Sequence, residues 1–193
     1  MAEILQFCNQ IFPLDKAASA DLLKNLKTKT FQKGDYLLRS GEICKYLFFM
    51  NEGLAKSFFV KNDNEFIMSF FAENFMFSVY DSYISQTPSN FSIIALEKTT
   101  VTLISHEKME KLCRTHHCVE TFFRKLVSNV TIKMMKRISS MLQENAADRY
   151  NLFVRESNEM LQRISLGDLA KYFGITQQSL SRIRAEKWFF TIW

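Results

Sequence analysis

Glycine and proline are scarce in this chain, five and two among 193 residues. Each therefore marks a place where the backbone needs it, and no low-complexity segment can be built from them. The four cysteines, at 8, 44, 113 and 118, are too few and too scattered for a disulfide framework, and fit reduced thiols. No run of about 18 apolar residues occurs, so no membrane span is expected. The segment MAEILQFCNQIF lacks the basic stretch, apolar stretch and small-residue cleavage site of a signal peptide, and a cytoplasmic location is expected. GxxxxGKS/T, G-x-S-x-G and HExxH are all missing, which leaves no sign of an enzyme and no catalytic residue to nominate.

What the chain has is apolar mass. Hydrophobic residues make up 47%, enough to bury a core in one or two domains. Thirteen of the 19 phenylalanines precede residue 111. From Phe31 to Ser105, short aromatic and β-branched runs such as YLFFMNEG, FIMSFFAEN and TTVTLIS alternate with turns at Gly34, Gly41, Gly53 and Asn62–Asn64. Runs this short predict the strands of a sandwich or barrel. Helical spacing flanks them, with a short amphipathic helix over 14–27 and others over 107–114, 119–144 and 146–154.

The helix over 119–144 carries too many apolar residues for one narrow stripe. One face suits the β-rich region and another suits a partner helix, with Phe123, Leu126, Val127, Val130, Met134, Ile138 and Met141 as the candidate dimerisation residues. Lys133, Lys136 and Arg137 interrupt that seam, and packing within its own chain alone remains open.

Residues 165–184, SLGDLAKYFGITQQSLSRIR, read as two short helices joined by a turn. Gly174 supplies the positive φ that such a turn needs, and Thr176 caps the second helix. This is the pattern of a DNA-binding helix-turn-helix, although an ordinary helical hairpin has the same spacing. The second helix offers Gln177, Gln178, Ser181 and Arg182 on its polar face, and Gln pairs with adenine as Arg does with guanine. Charge points the same way. Residues 1–110 hold 11 Lys/Arg against 13 Asp/Glu, whereas residues 111–193 hold 14 against 7, which places the cations near the helix-turn-helix.

Cys113-Arg-Thr-His-His-Cys118 places two thiols and two imidazoles within six residues. Cys113, His116, His117 and Cys118 are metal-type donors, but they fall at a junction between helices, and no metal is predicted. The apolar tail, AEKWFFTIW, is expected either to cover the back of the DNA-binding core or to form an interaction patch.

The order of a β-rich region, a long helix and a helix-turn-helix resembles the Crp/Fnr family of bacterial transcription regulators over nearly the whole chain, in the shortened form of Bacteroidetes-like members. FQKGDYLLRSGEICKYLFFMNEGLAK and SQTPSNFSIIALEKTTV look like parts of its cyclic-nucleotide-binding β-roll, and NAADRYNLFV with ISLGDLAKYFGITQQSLSRIR looks like its DNA-binding end.

The resemblance implies an α+β fold. Its parts are an N-terminal double-stranded β-helix of jelly-roll type over residues 1–116, a dimerisation helix over 117–145 and a helix-turn-helix domain over 146–193 with the wing reduced or absent. The implied partners are double-stranded DNA with a two-fold symmetric site, a second copy of the chain, RNA polymerase and a small-molecule effector. By position, Gln177, Gln178 and Arg182 match the base-reading residues, while Thr176, Ser179, Ser181 and Arg184 are candidate phosphate contacts, with capping or solvated surface left open for each. The ligand cassette departs from the family. No glycine lies between Gly53 and Gly167, no arginine lies between Arg39 and Arg114, and Phe91 stands where the phosphate-binding arginine is expected if Ser92 is the residue after it. A buried phosphate without that cation is costly, so cyclic AMP is not expected as a cofactor. Lys56, Lys61 and Lys98 are the remaining candidate cations, and a pocket filled by its own aromatics or holding an unidentified effector stays open. The alternative function is a ligand-sensing or protein-interaction roll with weak or lost DNA binding.

Overall fold

The computed structural model describes residues 2–190. Two helices, α1 (Ala2–Ile11) and α2 (Lys16–Asn25), lead into eight strands: β1 (Lys27–Phe31), β2 (Tyr36–Leu38), β3 (Tyr46–Glu52), β4 (Ala55–Lys61), β5 (Asn64–Phe71), β6 (Met76–Phe77), β7 (Ser92–Ala95) and β8 (Thr99–Ser105). A short helix, α3 (Tyr80–Ser85), separates β6 from β7. The strands form two antiparallel four-stranded sheets, ordered β1-β8-β3-β6 and β2-β7-β4-β5. Then follow α4 (His106–Thr115), α5 (His117–Gln143), α6 (Ala146–Glu156), α7 (Asn158–Leu161), α8 (Leu166–Phe173) and α9 (Gln177–Phe190). Among the described residues no strand follows Ser105. The expectation for the apolar tail falls on side chains outside the described residues.

The sheets face each other across a phenylalanine-rich core. Phe77 stacks on Phe71 at 4.2 Å and on Phe48 at 5.4 Å. Strand β3 is buried at four successive positions, Leu47 to Met50, because both its faces are covered. Phe48 points to the other sheet, and Phe49 meets Phe7 of α1 at 5.4 Å. Helix α1 was not expected from the sequence. Its Ile4 and Cys8, one turn apart, close the core from outside, and burial pushes the Cys8 thiol up to about 12.

Backbone punctuation follows the scarce special residues. Gly53 has φ +105°, and a Cβ there would come within 2.7 Å of the Lys98 carbonyl oxygen, so the turn after β3 can press against the turn before β8 only without a side chain. The β4–β5 hairpin closes through Asn62 and Asp63, both at positive φ, as a two-residue turn between twisted strands requires.

Helix α5 spans about 40 Å and divides along its length. Leu126 is buried in the chain's own core, with Phe123 and Val130 packed against it, so three of the seven expected dimerisation residues face the roll. Val127 is half-buried, while Met134, Ile138 and Met141 are at least half exposed, together with Ile132, Met135 and Leu142. Two of the cations thought to interrupt the seam lie elsewhere. Lys133 sits over the Phe75 ring, and Arg137 over the Tyr172 ring while donating to the Met68 carbonyl.

Candidate nucleic-acid interface

The C-terminal helices form by local rules. Asn145 caps α6, and Ser165 caps α8 by accepting from the Asp168 N–H at 3.0 Å. Helix α8 ends at Gly174, whose φ of +68° turns the chain as expected, and Arg149 donates to the carbonyl of Phe173 at that end. Thr176 accepts from the Ser179 N–H at 3.1 Å and so caps α9. Leu169, Ala170, Phe173 and Leu180 are buried between the helices together with Tyr150 and Ile164. The small Ala170 lets α8 and α9 cross closely.

With Leu180 fully buried and Ile183 half-buried, the opposite face of α9 is left to solvent. Thr176, Gln177, Gln178, Ser179, Ser181, Arg182 and Arg184 are all exposed. Among them only Thr176 and Ser179 share a side-chain hydrogen bond, at 3.0 Å. The structure thus brings the nominated DNA-facing residues onto one surface of one helix and its cap.

Sequence reasoning missed how this head is held. Leu54 of the β3–β4 turn belongs to the head's buried cluster, and Phe70, Ala72 and Leu96 of the roll pack against it. Around that contact run charged links. Lys56, buried in β4, donates to Asp168 of α8 at 2.7 Å and to Glu65 at 2.8 Å, while Lys171 reaches Glu65 at 3.2 Å. Burial alone would push the Lys56 ammonium down, but the Asp168 and Glu65 carboxylates more than offset this and hold it above its ordinary value. Arg163 grips Glu73 with two nitrogens at 2.8 and 2.9 Å and also meets Glu97. The Arg163 guanidinium draws the Glu73 carboxyl down to about 2, despite partial burial. The one sequence signal was a lysine inside the largely apolar strand run LAKSFFV. Lys56 is therefore engaged between roll and head and is not a free cation for a ligand phosphate; Lys61 and Lys98 are exposed.

The expected ligand cassette is occupied by its own contacts. The Ser92 hydroxyl accepts from the Ser40 N–H at 3.0 Å, and the Ser89 hydroxyl accepts from the Phe91 N–H at 2.9 Å. Ser82 accepts from the Cys44 N–H and donates to the Thr87 carbonyl. Phe91 meets Phe59 edge to face at 5.7 Å, and Phe59 stacks on Phe66 at 5.1 Å. Arg39, the last arginine before the cassette, lies over the Tyr36 ring.

The Cys113–Cys118 segment serves as a clip. His116 shares a hydrogen bond with Asp21 at 3.0 Å, and the Cys118 thiol donates to Asp15 at 3.6 Å, which ties α2 to the α4–α5 junction. Hydrogen bonds from His116 and then Lys24 hold the Asp21 carboxyl below the usual range. Burial, with the Glu120 charge beside it, pushes the Cys113 thiol up to about 12. Among the described residues no three His, Cys, Asp or Glu converge on a point, and no helix is long and apolar enough to cross a membrane.

Residues 28–116 match the cyclic nucleotide-binding domain family. Over 169 residues the chain is 24% identical to electron transport regulator A of Shewanella oneidensis, covering 81% of this chain and 67% of that protein. Its fold is similar to that of FixK2 from Bradyrhizobium japonicum (TM-score 0.71, 19% identity, 83% of each chain covered). It is also similar to a transcriptional regulator of the Crp/Fnr family from Eubacterium rectale (TM-score 0.69, 17% identity, 88% of this chain and 82% of that one).

Proposed function

We propose that this chain, similar in sequence and fold to Crp/Fnr-type transcription regulators and carrying a match to the cyclic nucleotide-binding domain family, is such a regulator: a homodimer that reads duplex DNA with α9. The observation that carries this is the exposed edge of Gln177, Gln178, Ser181 and Arg182 set against the fully buried Leu180. Gln177, Gln178 and Arg182 read base edges in the major groove. Thr176, Ser181 and Arg184 hold phosphates and fix the register.

Residues 1–116 act as the sensor, 117–145 as the dimerisation helix and 146–193 as the DNA-binding unit. Met134, Ile138 and Met141 repeat at helical spacing on the free half of α5 and pair with their copies in a second chain. Two heads related by a two-fold axis then meet a palindrome with half-sites one helical turn apart. A signal in the roll shifts the packing of α5 and of the head, and so shifts the population able to span both half-sites. Cyclic AMP is not that signal. The cassette has no arginine, and its serines are engaged with the backbone.

Selection from randomised duplexes should return a palindrome, and sedimentation should give a dimer that Ile138→Glu converts to monomer. Calorimetric titration with cyclic AMP should give no heat of binding at micromolar concentrations. Selection of no sequence at any salt concentration would favour a roll that acts as a protein-interaction module.

A further inference from the structure

Of the five glycines, Gly34, Gly41, Gly53 and Gly174 have positive φ, and Gly167 does not. Gly167 lies in the first turn of α8, where any residue adopts the backbone and where glycine weakens a helix relative to alanine. Its reason must be space. Outside its own helix backbone and chain neighbours, a Cβ at Gly167 would stand 2.7 Å from Nε2 of Gln177, 3.6 Å from its Cδ and 3.8 Å from Oγ of Ser165. The carboxamide of the first α9 residue therefore fills a notch that exists because residue 167 has no side chain.

We infer that Gly167 is a specificity-determining positioning residue, the seat that fixes the direction in which Gln177 presents its carboxamide to a base. This rests on the reading of α9 as the DNA-reading helix. Gln177 is exposed and has three side-chain torsions, so without a seat its carboxamide samples many directions. Bidentate pairing with a base needs one direction. Gly167 touches no DNA in this arrangement and acts only through Gln177. The seat also adjoins the charged link to the roll, because Ser165 bonds Asp168, and Asp168 holds Lys56.

The test is Gly167→Ala, Gln177→Ala and the double variant in the full chain, compared by duplex selection and by the 15N side-chain amide resonances of Gln177. The intruding methyl meets the far end of a flexible side chain, so Gly167→Ala should fold. Should it lose stability instead, adding Gln177→Ala removes the clash and must restore it. Gly167→Ala should move the Gln177 amide resonances without DNA and lower discrimination at one base pair of each half-site by roughly tenfold. The salt dependence of binding should not change. Gln177→Ala should lose the same preference, and the double variant no more than Gln177→Ala alone. Unmoved amide resonances, or a Gly167→Ala variant that keeps the preference Gln177→Ala loses, would overturn the seat and leave the DNA reading intact. A Gln177→Ala variant with unaltered base preference would overturn the role of Gln177 and the seat together, whereas a wild-type chain that selects no sequence removes the DNA reading itself.

Discussion

The roll and the head are held by different forces. The roll has a continuous apolar core that runs from Ile4 of α1 through both sheets to Leu126 of α5. The head's cluster is small and incomplete without Leu54 of the roll. Where the roll closes on itself with stacked phenylalanines, the head closes on the roll through a small apolar contact at Leu54 and Phe70 ringed by Lys56–Asp168, Lys171–Glu65 and Arg163–Glu73–Glu97. Apolar burial is non-directional and resists rearrangement as a whole, whereas charged links can exchange for water or for a new partner. The division suits a rigid sensor that carries a head able to change its seat.

The largest effect should come from the roll core. Phe122 is almost fully buried and meets Phe7 edge to face, so Phe122→Ala should destabilise the chain by about 3–5 kcal/mol in denaturant unfolding. A loss below about 1 kcal/mol would mean that α5 is not fixed to the roll. Asp168→Asn weakens one of two anions on the buried Lys56 and should cost about 1–3 kcal/mol. That loss should appear as faster hydrogen exchange in the head, with the roll unchanged, and equal loosening of both would erase the contrast.

The strand runs and the helix-turn-helix were legible because each rests on local rules, whereas the roll's pairing of β1 with β8 is long-range and the roll itself was legible only through the family resemblance. The turn at Gly174 and the cap at Thr176 follow from residues within four positions of each other. What joins roll to head was not legible, because Lys56 and Asp168 are 112 residues apart, and nothing near either names the other. The two faces of α5 were blurred for a related reason. Leu126 and Met134 are equally apolar, and only the position of the roll decides that one is buried and the other free. Helix α1 escaped notice because its two buried residues, Ile4 and Cys8, make a stripe too short to read as periodicity.

A weaker effect follows from acidity. Arg163 holds the Glu73 carboxyl at about 2, below its ordinary 4.5. Because the folded value is depressed, the link contributes in full above pH 4.5 and is lost as pH falls toward 2. Wild-type stability should therefore fall more steeply across that window than that of Glu73→Gln, as read by thermal unfolding at successive pH values. Parallel curves would show that the link contributes nothing to docking. The smallest effect is at the cap, where Thr176→Ala should cost about 1 kcal/mol, with fraying at the start of α9 in amide exchange.

On the proposed function, the polar edge of α9 reads base pairs. Binding of the selected duplex and of its single-base variants, by the wild type and by Arg182→Ala over a salt series, tests it most directly. The account predicts steep weakening with salt for both proteins, with Arg182→Ala losing about 1–3 kcal/mol and its discrimination at one base pair of each half-site. Equal affinity and the same base preference in both proteins would contradict it.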